Sequence, residues 1–122
     1  MKILFWGTSE FAIPSLRALE VEGHYIVGVV TRPDRPAGRG RQVQPSAMKI
    51  EASESSIRIL EPEFPDSEDF VEEIRNLTPD ISVVVAYGRI LKRKVLEAPA
   101  RGSINLHASL LPRLRGAAPI NW

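Results

Sequence analysis

Two kinds of apolar pattern alternate along the chain. Short apolar runs at Lys2-Ile3-Leu4-Phe5-Trp6 and at residues 26–31 and 81–86 read as buried β-strands, and residues 57–60 and 103–107 read as two further short strands. Between them, apolar residues recur at helical spacing. Ala12, Leu16 and Leu19 stand at i, i+4 and i+7, and Pro14, tolerated only in a first turn, places a helix start near Ile13, with Gly23-His24 closing the helix. Pro45 marks a second helix start. Asp66 or Ser67 caps a third helix, whose apolar face is Phe70, Val71, Ile74 and Leu77; Glu68 and Asp69 favour the dipole of its first turn, and Thr78-Pro79 ends it. Residues 91–96 predict a short fourth helix closed by Pro99. Strands apolar on both sides that alternate with helices imply an α/β fold, a mostly parallel sheet with helices on both faces.

Composition narrows the function classes. The chain has 122 residues, 43% hydrophobic and 25% charged, enough for one domain with a real core. With no cysteine, a disulfide framework, a Cys-based zinc site and a thiol nucleophile are excluded. No apolar run approaches the roughly 20 residues of a membrane span, and no signal-type pattern opens these residues, so a cytoplasmic protein is expected. The net charge of +1 hides a segregation. Residues 31–50 carry five basic side chains against Asp34 alone, residues 51–80 carry ten acids against Arg58 and Arg75, and residues 81–122 carry seven bases against Glu97. The basic stretch suits a polyanion, and a solvated loop is the competing reading; the acidic zone is expected to form a solvated face.

In parallel sheets ligands bind at the carboxyl ends of the strands, which directs attention to residues 7–11, 32–44, 87–90 and 107–116. Gly7-Thr8-Ser9-Glu10 lacks the G-x-G-x-x-G pattern of a dinucleotide site. Asn105-Leu106-His107 ends a predicted strand, so Asn105 and His107 project to one face and Leu106 to the other. An amide N–H at Asn105 can donate to a developing oxyanion, and His107 can supply a hydrogen bond or a proton near neutral pH. A structural role for a lone N-x-H remains open at this point.

The run Asn105-Leu106-His107-Ala108-Ser109-Leu110-Leu111-Pro112-Arg113-Leu114-Arg115-Gly116-Ala117-Ala118-Pro119 resembles the signature of the folate-dependent formyltransferases. Phe5-Trp6-Gly7-Thr8, Phe11-Ala12 and Val85-Ala86-Tyr87-Gly88-Arg89-Ile90-Leu91 extend the resemblance over the whole chain. It implies a Rossmann-like sheet, incomplete at the C-terminus, and 10-formyltetrahydrofolate as formyl donor without a metal. It implies Asn105 and His107 as catalytic residues, and a pterin pocket of Tyr87, Gly88, Arg89, Ile90 and Leu91 with the turn Ser109, Leu110, Leu111 and Pro112. Thr31-Arg32-Pro33-Asp34-Arg35-Pro36-Ala37-Gly38-Arg39-Gly40-Arg41 is similar to a basic loop, at about 32–44, inserted in those members that engage the acceptor arm of initiator methionyl-tRNA. Arg39, then Arg35 and Arg41, are its candidate tRNA contacts, since guanidinium groups fork to phosphates.

Members that formylate glycinamide ribonucleotide open with a glycine-rich phosphate loop, which Gly7-Thr8-Ser9-Glu10 is not. An amino sugar nucleotide as acceptor and a non-catalytic tRNA-binding remnant are the alternatives. The family also uses an aspartate well downstream. The 122 residues are therefore expected to be the N-terminal part of a catalytic domain, inactive alone, with the rest of that domain and a C-terminal tRNA-binding domain lying beyond them. A monomer with no membrane contact is expected.

Overall fold

The computed structural model describes residues 1–37, 42–106 and 120–121. Strand β1 (Lys2–Trp6) is followed by a single 3-10 turn (Glu10–Ala12), helix α1 (Ile13–Val21) and strand β2 (Tyr25–Val30). A hairpin of β3 (Arg35–Ala37) and β4 (Gln42–Gln44) leads into α2 (Ala47–Glu54) and β5 (Ile59–Leu60). Then come α3 (Glu68–Leu77), β6 (Ile81–Val85), α4 (Arg93–Leu96), β7 (Ser103–Leu106) and β8 (Ile120–Asn121). The main sheet has the order β5-β2-β1-β6-β7-β8; its first five strands are parallel and β8 runs antiparallel to β7. The chain winds outward from β1 through β2 to β5 and then returns past β1 to β6 and β7. The winding reverses between β1 and β6, as in doubly wound Rossmann-like sheets.

Both faces of the sheet are apolar because both are covered. Leu4, Trp6, Val30 and Val84 pack against Phe70, Val71 and Ile74 of α3 and against Leu91, Val95 and Leu96. Ile3, Phe5, Val29, Val83 and Val85 pack on the other face against Leu16 of α1 and Met48 and Ala52 of α2. Buried polar groups are paired within these layers: the Trp6 indole N–H donates to Ser82 Oγ (3.1 Å) and the Ser103 hydroxyl to the Leu96 carbonyl (2.6 Å). Among the described residues no helix is long and apolar enough to cross a membrane.

Several boundaries move from their expected positions for local reasons. Ser46, not Pro45, is the N-cap of α2, its hydroxyl accepting the Lys49 N–H. Ser67 rather than Asp66 caps α3, while the Asp66 carboxylate accepts the Lys92 N–H (2.9 Å) at the foot of α4. That leaves Lys92 extended, so α4 begins at Arg93 and Leu91 enters the core outside any helix. β6 stops at Val85 because Ala86 turns left-handed, at φ 51°. Residues 35–37 and 42–44 pair across a two-stranded ribbon, Arg35 opposite Gln44 and Ala37 opposite Gln42, where a loop was expected. Pro36 fits there because a ribbon needs fewer backbone donors than a central strand.

Candidate active site

The carboxyl ends of β1, β2 and β6 converge on Gly7 and Thr8. The Gly7 N–H donates to the Val30 carbonyl (2.9 Å) and the Thr8 N–H to the Ala86 carbonyl (3.2 Å), so this turn bridges the neighbouring strands. A Cβ at position 7 would lie 2.8 Å from Ala12 Cβ and 3.0 Å from the Val85 carbonyl oxygen, which leaves room only for glycine. Beyond β6 the chain makes a tight turn in which Ala86 (φ 51°) and Gly88 (φ 92°) flank Tyr87. The Tyr87 ring is turned inward, 2% exposed, and meets Trp6 edge-on with centroids 5.1 Å apart. Burial pushes the phenol up to about 12, against the opposing pull of the Arg89 and Arg32 cations. It is a neutral wall at physiological pH.

Outside this turn lies a cleft of about 510 Å³, walled by Phe11, Val84, residues 86–91, Asn105 and Leu106. Register explains how Asn105 reaches it: Asn105 pairs with Val84 and Val84 with Trp6, so all three project to the same face of the parallel sheet. Ile104 and Leu106 pack on the opposite layer, as the alternation requires, and Leu106 also borders the cleft edge. Leu91 is buried, Ile90 is 93% exposed and Phe11 49% exposed. The arrangement offers apolar walls, one side-chain amide and the backbone groups of an irregular turn, which is what a flat heterocycle with polar edges needs.

Of the expected site residues, the structure brings together Asn105, Tyr87, Gly88, Arg89, Ile90 and Leu91. His107, Ser109, Leu110, Leu111 and Pro112 lie outside the described residues, as do Arg39 and Arg41; Arg35 opens β3. Phe11 was missed as a wall, although its position just past the first strand end is a usable signal.

A second cavity of about 500 Å³ shares Tyr87 and Arg89 with the first and is otherwise lined by Arg32, Pro33, Asp34, Glu61, Pro62 and Glu63. Lys49 of α2 stands beside it, its ammonium 2.9 Å from Asp34 Oδ2 and 3.2 Å from Glu61 Oε1. Hydrogen bonds from these two carboxylates, Asp34 first, raise the Lys49 pKa. Within the acidic zone Glu51, Glu61, Asp66 and Asp80 serve as internal partners, and Glu54, Glu63, Glu68, Asp69, Glu72 and Glu73 are exposed.

A crevice at the carboxyl edge of a doubly wound sheet, with an amide at one strand end and an irregular turn at the next, is the kind of ligand site α/β folds build, and the sequence specifies the family. The whole chain, residues 1–122, matches the formyl transferase family, and it belongs to that family. Within it, the chain is similar to proteins named methionyl-tRNA formyltransferase. One from Citrifermentans bemidjiense is 52% identical over 122 residues, 100% of this chain and 38% of that protein. Another from Geobacter sulfurreducens is 51% identical over 122 residues, again 100% and 38%, and one from Moorella thermoacetica is 50% identical over 121 residues, 99% and 39%. The chain therefore spans about two fifths of the length of these relatives. Among solved structures, phosphoribosylglycinamide formyltransferase from Bacillus halodurans superposes with a TM-score of 0.65 at 14% identity, covering 93% of this chain and 59% of that one. Glycinamide ribonucleotide transformylase 1 from Symbiobacterium toebii gives 0.64 at 17%, covering 93% and 54%. At such identities these two likenesses establish the fold.

Proposed function

We propose that this chain forms the formyl-donor site and part of the catalytic centre of a methionyl-tRNA formyltransferase, which transfers the formyl group of 10-formyltetrahydrofolate to the α-amine of methionine on initiator tRNA. The observation that carries the reading is the cleft in which Asn105 faces the Tyr87 to Leu91 turn. Identity of about 50% along the whole chain to proteins of that name supports the acceptor. So does the basic ribbon, whose strands are joined by Gly38-Arg39-Gly40-Arg41.

In this reading the pterin lies against Ile90, Leu91 and the backbone of the 86–89 turn, with Ser109, Leu110, Leu111 and Pro112 completing the pocket. The free amine attacks the formyl carbon, the carbonyl electrons move to oxygen, and the oxyanion collapses as the bond to the folate nitrogen breaks. That nitrogen gains a proton and the new amide nitrogen loses one. The Asn105 side-chain N–H steadies the oxyanion; His107 assists it and handles protons. Arg35, Arg39 and Arg41 hold the acceptor arm through phosphates.

Asn105→Ala in the full-length protein tests this. A donor aimed at the oxyanion acts in the transition state, so turnover should fall on the order of 100-fold while donor affinity changes little. Undiminished formyl transfer, or equal losses in turnover and donor affinity, would refute the role.

A further inference from the structure

The turn that walls the donor cleft is not self-supporting. Ala86 and Gly88 both adopt left-handed backbone on either side of Tyr87, a conformation that is costly at the alanine and needs outside support to persist. Its inner side is held by the Tyr87 ring against Trp6. Its backbone is held by two residues from other strand ends. The Thr8 hydroxyl donates to the Tyr87 carbonyl (2.9 Å) and accepts the Arg32 N–H (3.3 Å), so one oxygen ties the loop after β1 to the loops after β6 and β2. Arg32 then reaches over with its guanidinium, donating to the Gly88 carbonyl at 3.3 Å, and occupies the space a side chain at position 88 would fill. Arg32 is also the root of the basic ribbon: two residues on, Asp34 is anchored to Lys49.

We infer that Thr8 and Arg32 are positioning residues of the donor cleft: they clamp the 86–91 turn and join it to the root of the basic ribbon. Neither lines the cleft that holds Asn105; their action is through the Tyr87 and Gly88 carbonyls. The clamp explains why an irregular turn presents its outer residues in one arrangement. It also means that the ribbon and the donor turn share one support, so displacement at one is felt at the other. This inference rests on the reading of the cleft as the formyl-donor site.

The test compares Thr8→Val, Thr8→Ser and Arg32→Ala in the full-length protein, with 10-formyltetrahydrofolate and methionyl-tRNA as substrates. Valine keeps the shape of threonine and removes both hydrogen bonds, whereas serine retains them. Arg32→Ala, which loses one hydrogen bond, should raise the donor KM about five-fold, and Thr8→Val, which loses two, at least as much, each with a smaller change in kcat, while Thr8→Ser should restore the wild-type KM. Amide hydrogen exchange of residues 88–91 in the unliganded protein should quicken several-fold in the valine and alanine variants only. An unchanged donor KM with unchanged exchange would overturn the clamp. So would parallel losses of kcat, KM and thermal stability that serine does not rescue, which describe a merely structural threonine. Exchange needs no substrate, so inactivity of the wild-type protein would refute the proposed function and leave the clamp to be decided by exchange.

Discussion

Alkaline pH should destabilise this fold through one buried phenol. Tyr87 is 2% exposed and packs on Trp6, and burial raises its pKa to about 12 from the ordinary value of 10.0. The folded state therefore keeps the proton over a pH range in which the unfolded chain has released it. The associated stability is fully present below pH 10 and is lost as pH rises toward and through 12, with a limiting slope near 1.4 kcal/mol per pH unit. Integrated to pH 12, the loss is about 2 kcal/mol. Arg89 and Arg32 oppose the shift by favouring the phenolate, so the buried site is already partly compensated. Comparison with Tyr87→Phe isolates this one phenol from every other group in the chain. The assay is urea unfolding of both proteins at pH 9, 10, 11 and 12, together with the phenolate absorbance of the folded state. The wild type should lose stability relative to Tyr87→Phe only above pH 10, and the Tyr87 phenolate should form near pH 12. A stability difference that is flat from pH 9 to 12 would refute the assignment of the shift to burial.

Two further outcomes are expected. Gly7→Ala forces a methyl group to within 2.8 Å of Ala12 Cβ and against the Val85 carbonyl, and should cost about 2 kcal/mol in denaturant unfolding; a loss under about 0.5 kcal/mol would show that the turn relaxes freely. Arg39→Ala should weaken methionyl-tRNA binding and reduce the slope of log affinity against log salt by about 1, as for one lost phosphate contact, and an unaltered slope would count against that contact.

The parallel strands β1, β2 and β6 were legible because each is a nearly continuous apolar run, and the ligand crevice lies where the loops after Trp6 and Val85 meet the end of β7. Helix α3 was legible in detail, down to its acidic first turn, because its apolar face recurs cleanly and its cap is a serine. The ribbon of β3 and β4 was not, since Arg-Pro-Ala and Gln-Val-Gln carry no alternation of buried and exposed positions; cross-strand pairing alone defines it. β8 is two residues long and owes its existence to a partner in β7, a relation no local pattern encodes. At the site, Asn105 could be named from its residue type and place at a strand end, and the Tyr87 to Leu91 turn from the family resemblance. The left-handed Ala86 could not, because alanine carries no preference for that backbone; nor could the Thr8 and Arg32 hydrogen bonds, which depend on three loops arriving together.

The short return strand β8 bears on how firmly Asn105 is held. Ile120 pairs with Asn105 and Asn121 with Ile104, so β7 has a hydrogen-bonded neighbour on each side, β6 and β8. The chain entropy of bringing residues 105 and 120 together, which grows with the logarithm of their separation along the chain, is already met when the domain folds. The backbone of Asn105, held by Val84 on one side and Ile120 on the other, thus has its register set before any ligand arrives.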